Sequence, residues 1–293
     1  MKRSFTIVAG LILLTVGARR GWAHQDLPAL IARLTEQLRT NRNDLEVLLL
    51  RADLYRLHSN WPEACADYAA AIESSPRSAA ALIGQAQLHA DMGEQLAARR
   101  AFDAALVLAP TNCAALFGRA PVLARLGERQ AAIADYSRGL ALTRHPQPDH
   151  FLERAGLQAV ELGPDAAIAG LDEGLARLGW LVTLQQRAMD LELKRQRPDL
   201  ALIRLETILA RAGRKESWLA MKGEILLEAG KTSEAQAVLS EALKHIAGLA
   251  PRLRTSPGTT ELRAKVERLI AHPSARDAAE KQKTEASAVA PRS

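Results

Sequence analysis

Large apolar residues recur along this chain at spacings of three and four, in short runs broken by glycine and proline, and the runs themselves repeat. Six segments align: LLLRADLYR (48–56), LIGQAQLHA (82–90), LFGRAPVLA (116–124), FLERAGLQA (151–159), LQQRAMDLE (184–192) and LAMKGEILL (219–227). Each opens on a large apolar residue. Three residues on stands Arg, Gln or Lys, followed by Ala or Gly. The starts lie 34, 34, 35, 33 and 35 residues apart, and self-similarity at a fixed period marks a repeat architecture.

A second segment follows each of these. Its small residues are Ala64, Ala98, Ala132, Ala167, Ala201 and Ala235, and four residues later stand Tyr68, Phe102, Tyr136, Leu171, Leu205 and Leu239. Such spacings put both columns on one face of a helix. Gly93, Gly127, Gly163 and Gly230 stand where first helices should end, since glycine takes positive φ without penalty. Pro62, Pro164 and Pro198 stand where second helices should begin, where the missing N–H does no harm. Each unit therefore reads as two antiparallel helices, A and B. Small residues let them approach, and bulky ones fill the gaps. Ala98 should lie where two helices touch. Pro121, inside a helix A, should kink it.

The six copies over 45–247 resemble the tetratricopeptide-repeat (TPR) family. The resemblance implies an all-α, right-handed α-solenoid of about six helix pairs, with a capping helix at each end. Residues 24–44 should hold the N-terminal cap, through Leu30, Leu34 and Leu38. Residues 248–271 should hold the C-terminal one, through Leu262, Val266, Leu269 and Ile270. That makes about fourteen helices. Residues 272–293, with few large apolar side chains, should form a disordered tail. Aromatic residues make up only 4% of the chain, too few to favour a β-sandwich or barrel.

The N-terminus reads differently. Lys2 and Arg3 precede an apolar run from Phe5 to Ala18, and Gly21-Trp22-Ala23 offers small residues at a cleavage position. Residues 1–23 thus resemble a secretory signal peptide cut after Ala23, which would place the protein in the periplasm or outside the cell. The run of fourteen residues would span about 21 Å as a helix, short of a roughly 30 Å hydrocarbon core. Arg19 and Arg20 beyond it keep open an alternative, an envelope assembly factor held at the inner membrane by an uncleaved N-terminal helix. Setting aside residues 1–23 lowers the net charge from +6 to +2, with 35 basic against 33 acidic residues. A near-neutral chain of interspersed signs has no footprint for nucleic acid. Cys65 and Cys113 are the two cysteines, expected on different repeats and unbridged.

No phosphate loop, CxxC or HExxH appears, so no enzyme, cofactor or metal is expected. His145-Pro-Gln-Pro-Asp149-His150 reads as a polar surface loop. The cations of the A helices (Arg51, Arg119, Arg154, Arg187, Lys222) read either as long stems reaching water or as a basic ladder for an acidic partner. In TPR proteins the concave surface, lined by A helices, usually binds a peptide. The resemblance places Leu49, Asp53, Arg56, Ile83, Gln87, Phe117, Leu152, Glu192 and Glu224 on that face, flanked by Ala80, Ala90, Ala114, Ala124, Gly156 and Ala159. Chaperone-binding members clamp a carboxylate with Lys and Asn. Leu49 with Asp53, and Ile83 with Gln87, stand at those places instead, so that activity is not implied. The expected function is a non-catalytic scaffold for a protein or peptide partner, with Arg56 contributing little to stability.

Overall fold

The computed structural model describes residues 27–271. Signal segment 1–23 and tail 272–293, as read from the sequence, lie outside the described residues. Among those described there are fifteen helices and no strand. The chain divides into two units, the first ending at Pro110. The first unit holds α1 (Leu27–Thr40), α2 (Leu45–Leu57), α3 (Trp61–Ser74), α4 (Ala79–Asp91) and α5 (Gln95–Leu108). The second holds α6 (Cys113–Arg125), α7 (Arg129–Leu142), α8 (Pro148–Glu161), α9 (Pro164–Leu178), α10 (Val182–Lys194), α11 (Pro198–Leu209), α12 (Glu216–Glu228) and α13 (Thr232–Ala247). It closes with α14 (Pro251–Arg254) and α15 (Pro257–Ala271). Helices α2 to α13 are the six expected pairs, with α1 and α15 as caps. The addition is α14, a single turn where Pro251 starts a helix that Ser256-Pro257 restarts as α15.

Most A helices stop by the same device. The N–H groups of Glu94, Glu128 and Lys231 reach back to the carbonyls of His89, Leu123 and Leu226 at 2.8, 2.9 and 2.8 Å. This closure needs a left-handed residue just before the donor, supplied by Gly93, Gly127 and Gly230 at φ 81, 84 and 74°. The first and fifth repeats make the same bond, Asn60 to Tyr55 and Arg197 to Glu192, without glycine. Ser59 and Gln196 are forced to φ 60 and 57°. Left-handed backbone costs a residue with a Cβ about 1–2 kcal/mol. Gln196 is exposed, so Gln196→Gly is expected to stabilise by about 1 kcal/mol and raise Tm by roughly 2–4 °C. A thermal melt of the variant checks this. At the opposite ends, Asp44, Ser78 and Asn112 each accept an N–H from the third residue on, Val47, Ala81 and Ala115.

The small column from Ala64 to Ala235 and the large column from Tyr68 to Leu239 are fully buried, as read from the sequence. The A helices answer with Ala52, Ala86, Ala120, Ala155 and Ala188, all buried, and with Gly223. A Cβ on Gly223 would lie 2.4 Å from Leu239, so that helix pair closes on a bare backbone. Each fully buried large side chain contributes about 2–3 kcal/mol. Pro121 sits inside α6, which runs through it to Arg125. In the caps, Leu38 and Val266 pack against the neighbouring repeat, and Leu34 is buried as well.

Candidate binding surface

Four of the five cations of the A helices, Arg51, Arg119, Arg154 and Lys222, are internal fasteners. Arg51 donates from Nε and Nη2 to both Asp67 oxygens at 2.7 and 2.6 Å, and from Nη1 to Thr35 of α1 at 2.9 Å. Arg119 grips Asp135 the same way at 2.7 Å through two nitrogens. Arg154 reaches the Gly170 carbonyl at 3.2 Å and Glu173 at 2.6 Å. In the fifth repeat the aspartate's place is taken by a second cation, Arg204, which turns to Asp172 at 2.8 Å. Lys222 pairs with Glu206. Hence Arg51, Arg119, Arg154 and Lys222 neither reach freely into water nor form a ladder for an acidic partner. The missed signal was the carboxylate sixteen residues downstream of Arg51 and of Arg119, which lands on the facing B helix.

Arg56 is likewise engaged. Its Nη1 donates to Asp91 of the next repeat at 2.6 Å, and its Nε lies 3.7 Å from Asp53. Asp53 also accepts the Tyr68 hydroxyl at 2.6 Å. Burial first, and then this bond to a carboxylate, push the Tyr68 phenol far above its usual range. The chain Tyr68–Asp53–Arg56–Asp91 ties the first repeat to the second. Removing Arg56 breaks this tie, while Asp53 keeps the Tyr68 hydroxyl and both half-exposed carboxylates keep contact with water.

The remaining residues read as binding positions divide by side-chain length. In the first unit Leu49 and Gln87 are half-buried, and Ile83, 8% exposed, offers almost no surface. Leu50 and Leu57, not singled out in the sequence, are 47% and 67% exposed on α2. In the second unit Glu192 is 4% exposed, with Arg204 3.8 Å away. Glu224 holds Lys265 of the capping helix at 2.7 Å. Long polar side chains in these columns fold onto neighbouring helices and close the surface.

In the second unit the open part of this face lies on α6 and α8. Phe117 is half-buried, its ring over Gly139, where a Cβ would come within 2.6 Å. It stacks on His150 with centroids 3.6 Å apart, joining α6 to the first turn of α8. His150, read as a loop residue, is therefore part of a helix and of an aromatic contact. Further along α8, Leu152, Gly156 and Ala159 share one face. A Cβ on Gly156 would meet nothing within 4 Å, and the adjoining Val160 is 70% exposed. This is a shallow apolar strip with a bare backbone in its floor.

Burial holds the His150 imidazole below its ordinary pKa, against the opposing charges of Glu153 and Asp149. Between the depressed folded value and the unfolded value of about 6.5, the unfolded chain binds a proton that the folded chain does not. Stability is thus complete above pH of about 6.5 and falls as the pH drops through the folded value. Wild type is expected to lose more Tm than His150→Phe between pH 7 and pH 5, and melts at the two pH values check it. Cys65 and Cys113 are free thiols. Among the described residues no group of His, Cys, Asp and Glu could hold a metal, and no helix is long and apolar enough to cross a membrane.

No protein-family model matches the chain, and no curated protein matches it in sequence. Solved structures do match. The C-terminal part of a TPR repeat-containing protein from Cytophaga hutchinsonii superposes with a TM-score of 0.62 at 14% identity, covering 81% of this chain and 94% of that one. PilW, described as a widely conserved type IV pilus biogenesis factor, gives 0.54 at 19% identity over 64% of this chain and 86% of its own. YrrB, described as a TPR protein with an unusual peptide-binding site, gives 0.50 at 18% identity over 60% and 91%.

Proposed function

Since the chain has the tetratricopeptide-repeat fold, we propose that it is a non-catalytic scaffold that captures a protein or peptide partner on the exposed faces of its A helices. The observation that carries this is the α8 strip. A mid-helix glycine costs about 1 kcal/mol relative to alanine, and Gly156 makes room for no other part of the described protein. Bare backbone beside Leu152, Ala159 and exposed Val160 suits the close approach of an apolar peptide or amphipathic helix. Export to the cell envelope is part of the proposal and rests on the signal-like pattern of residues 1–23. Arg19 and Arg20 favour the second reading, an anchored assembly factor. Intact mass of the protein from its native envelope separates the two, through the presence or loss of those residues.

The binding face is tested by placing a photoreactive phenylalanine analogue at position 156 and, separately, at exposed Val107 on α5. Position 156 is expected to give a discrete protein adduct in cells, and position 107 none. Equal adducts from both would mean that α8 is not the recognition face.

A further inference from the structure

The excess positive charge is not spread evenly. Residues 211–216 and 241–254 hold six basic side chains (Arg211, Arg214, Lys215, Lys244, Arg252 and Arg254) against two acidic ones, Glu216 and Glu241. The two segments are far apart in sequence, yet both line one cavity of about 400 Å³ in the second unit. Its walls are the loop before α12, with Arg214, Lys215 and Glu216, and the end of α13, with Glu241, Lys244 and His245, so three of the six basic side chains and both carboxylates line it.

The cavity is built around a buried carboxylate. Glu216 is 3% exposed and accepts from Arg214 Nε at 2.6 Å, with Nη2 also on the same oxygen. This fixes the guanidinium at the rim, its side chain 56% exposed, and leaves Nη1 available. Lys215 and Lys244 make no ion pair among the described residues. A second cavity of about 430 Å³, on the side of Trp218, Ser256 and Thr259, shares Arg214 and Glu216 as a wall. Lys215 caps α12 without a side-chain bond, so the first N–H groups of that helix add positive potential. Leu249 is the one large apolar residue of the lining, which argues against an apolar occupant.

We propose that this cavity binds a phosphate group, carried by a soluble phosphorylated compound or by a phospholipid head group. Arg214 offers a pre-set planar donor, and Lys215 and Lys244 supply point charges on two sides of a tetrahedral anion. The volume admits the phosphate and part of what it is attached to. The site lies apart from the α8 strip and does not depend on it.

Thermal melts of the full chain in inorganic phosphate, at constant ionic strength against chloride, give the test. Wild type is expected to show a saturable rise in Tm. The doubly substituted Lys215→Gln, Lys244→Gln protein is expected to bind phosphate at least about tenfold more weakly, with its melting in chloride unchanged because neither lysine holds an ion pair among the described residues. Lys194→Gln, an exposed lysine elsewhere, should respond as wild type. Sedimentation with mixed phosphatidylglycerol and phosphatidylcholine vesicles then separates the sources. Vesicle binding lost in the double variant assigns the head group, and phosphate binding without vesicle binding assigns a soluble ligand. A phosphate response kept by the double variant, or absent from wild type, overturns the proposal.

Discussion

Asp67→Ala is expected to destabilise the protein by about 3 kcal/mol, and adding Arg51→Leu to the same chain is expected to return most of that loss. Asp67 is 5% exposed and receives two guanidinium N–H groups at 2.6 and 2.7 Å. That bonding, more than the opposing desolvation, holds the Arg51 pKa above its ordinary value. Removing the acid leaves a mostly buried cation without its counter-charge, which typically costs about 3–5 kcal/mol. The lower figure applies because Arg51 keeps Thr35 and some contact with water. Replacing both ends by apolar groups removes the uncompensated charge, and such replacements are close to neutral. Urea midpoints for the three proteins decide it. A double variant as unstable as Asp67→Ala would show that shape, not charge, fastens this repeat.

The second large effect concerns packing between the first two repeats. Gly84→Val is expected to cost about 3 kcal/mol, at the upper end of overpacking losses. A Cβ at position 84 would lie 2.3 Å from Tyr68 Cε1. Tyr68 cannot swing aside, because it is buried and its hydroxyl is tied to Asp53 at 2.6 Å. The fourth repeat permits a control. Gly156→Val puts the same side chain on an A helix where nothing lies within 4 Å, so it should change Tm by far less. Similar shifts for the two would mean that helix propensity, not the Tyr68 contact, governs position 84.

The helix pairs were legible because side-chain volume alone specifies them. A small column beside a large column at a fixed period has few other solutions, and Ala64 to Ala235 and Tyr68 to Leu239 are buried as read. Glycine at the ends of A helices was legible for a similar reason, since positive φ is written in residue type. Ser59 and Gln196 escaped because the closing bond tolerates their strain. The surface was harder to read. Arg51 and Arg119 looked free while each helix was taken alone, and their partners appear only when A and B are laid face to face. Arg56 and Glu192 occupy the same column as Ala90, Ala124 and Ala159. In that column an alanine stays half-exposed, while a long polar side chain folds down onto a neighbour. Ile83 is buried and Glu224 is tied to Lys265 of the capping helix, neither of which the motif alignment displays. Gly156 was visible as a small flanking residue, but only the structure places open space above it.

The central claim, that the α8 strip is where a partner binds, is tested most directly with Gly156→Trp. The measurement is the affinity of this variant for the protein cross-linked from position 156, together with its Tm. The indole would occupy the open floor beside Leu152 and Ala159 without touching the core. Affinity is predicted to fall at least about tenfold, a loss of roughly 1.4 kcal/mol, with Tm unchanged. Undiminished affinity at the same Tm would contradict the account.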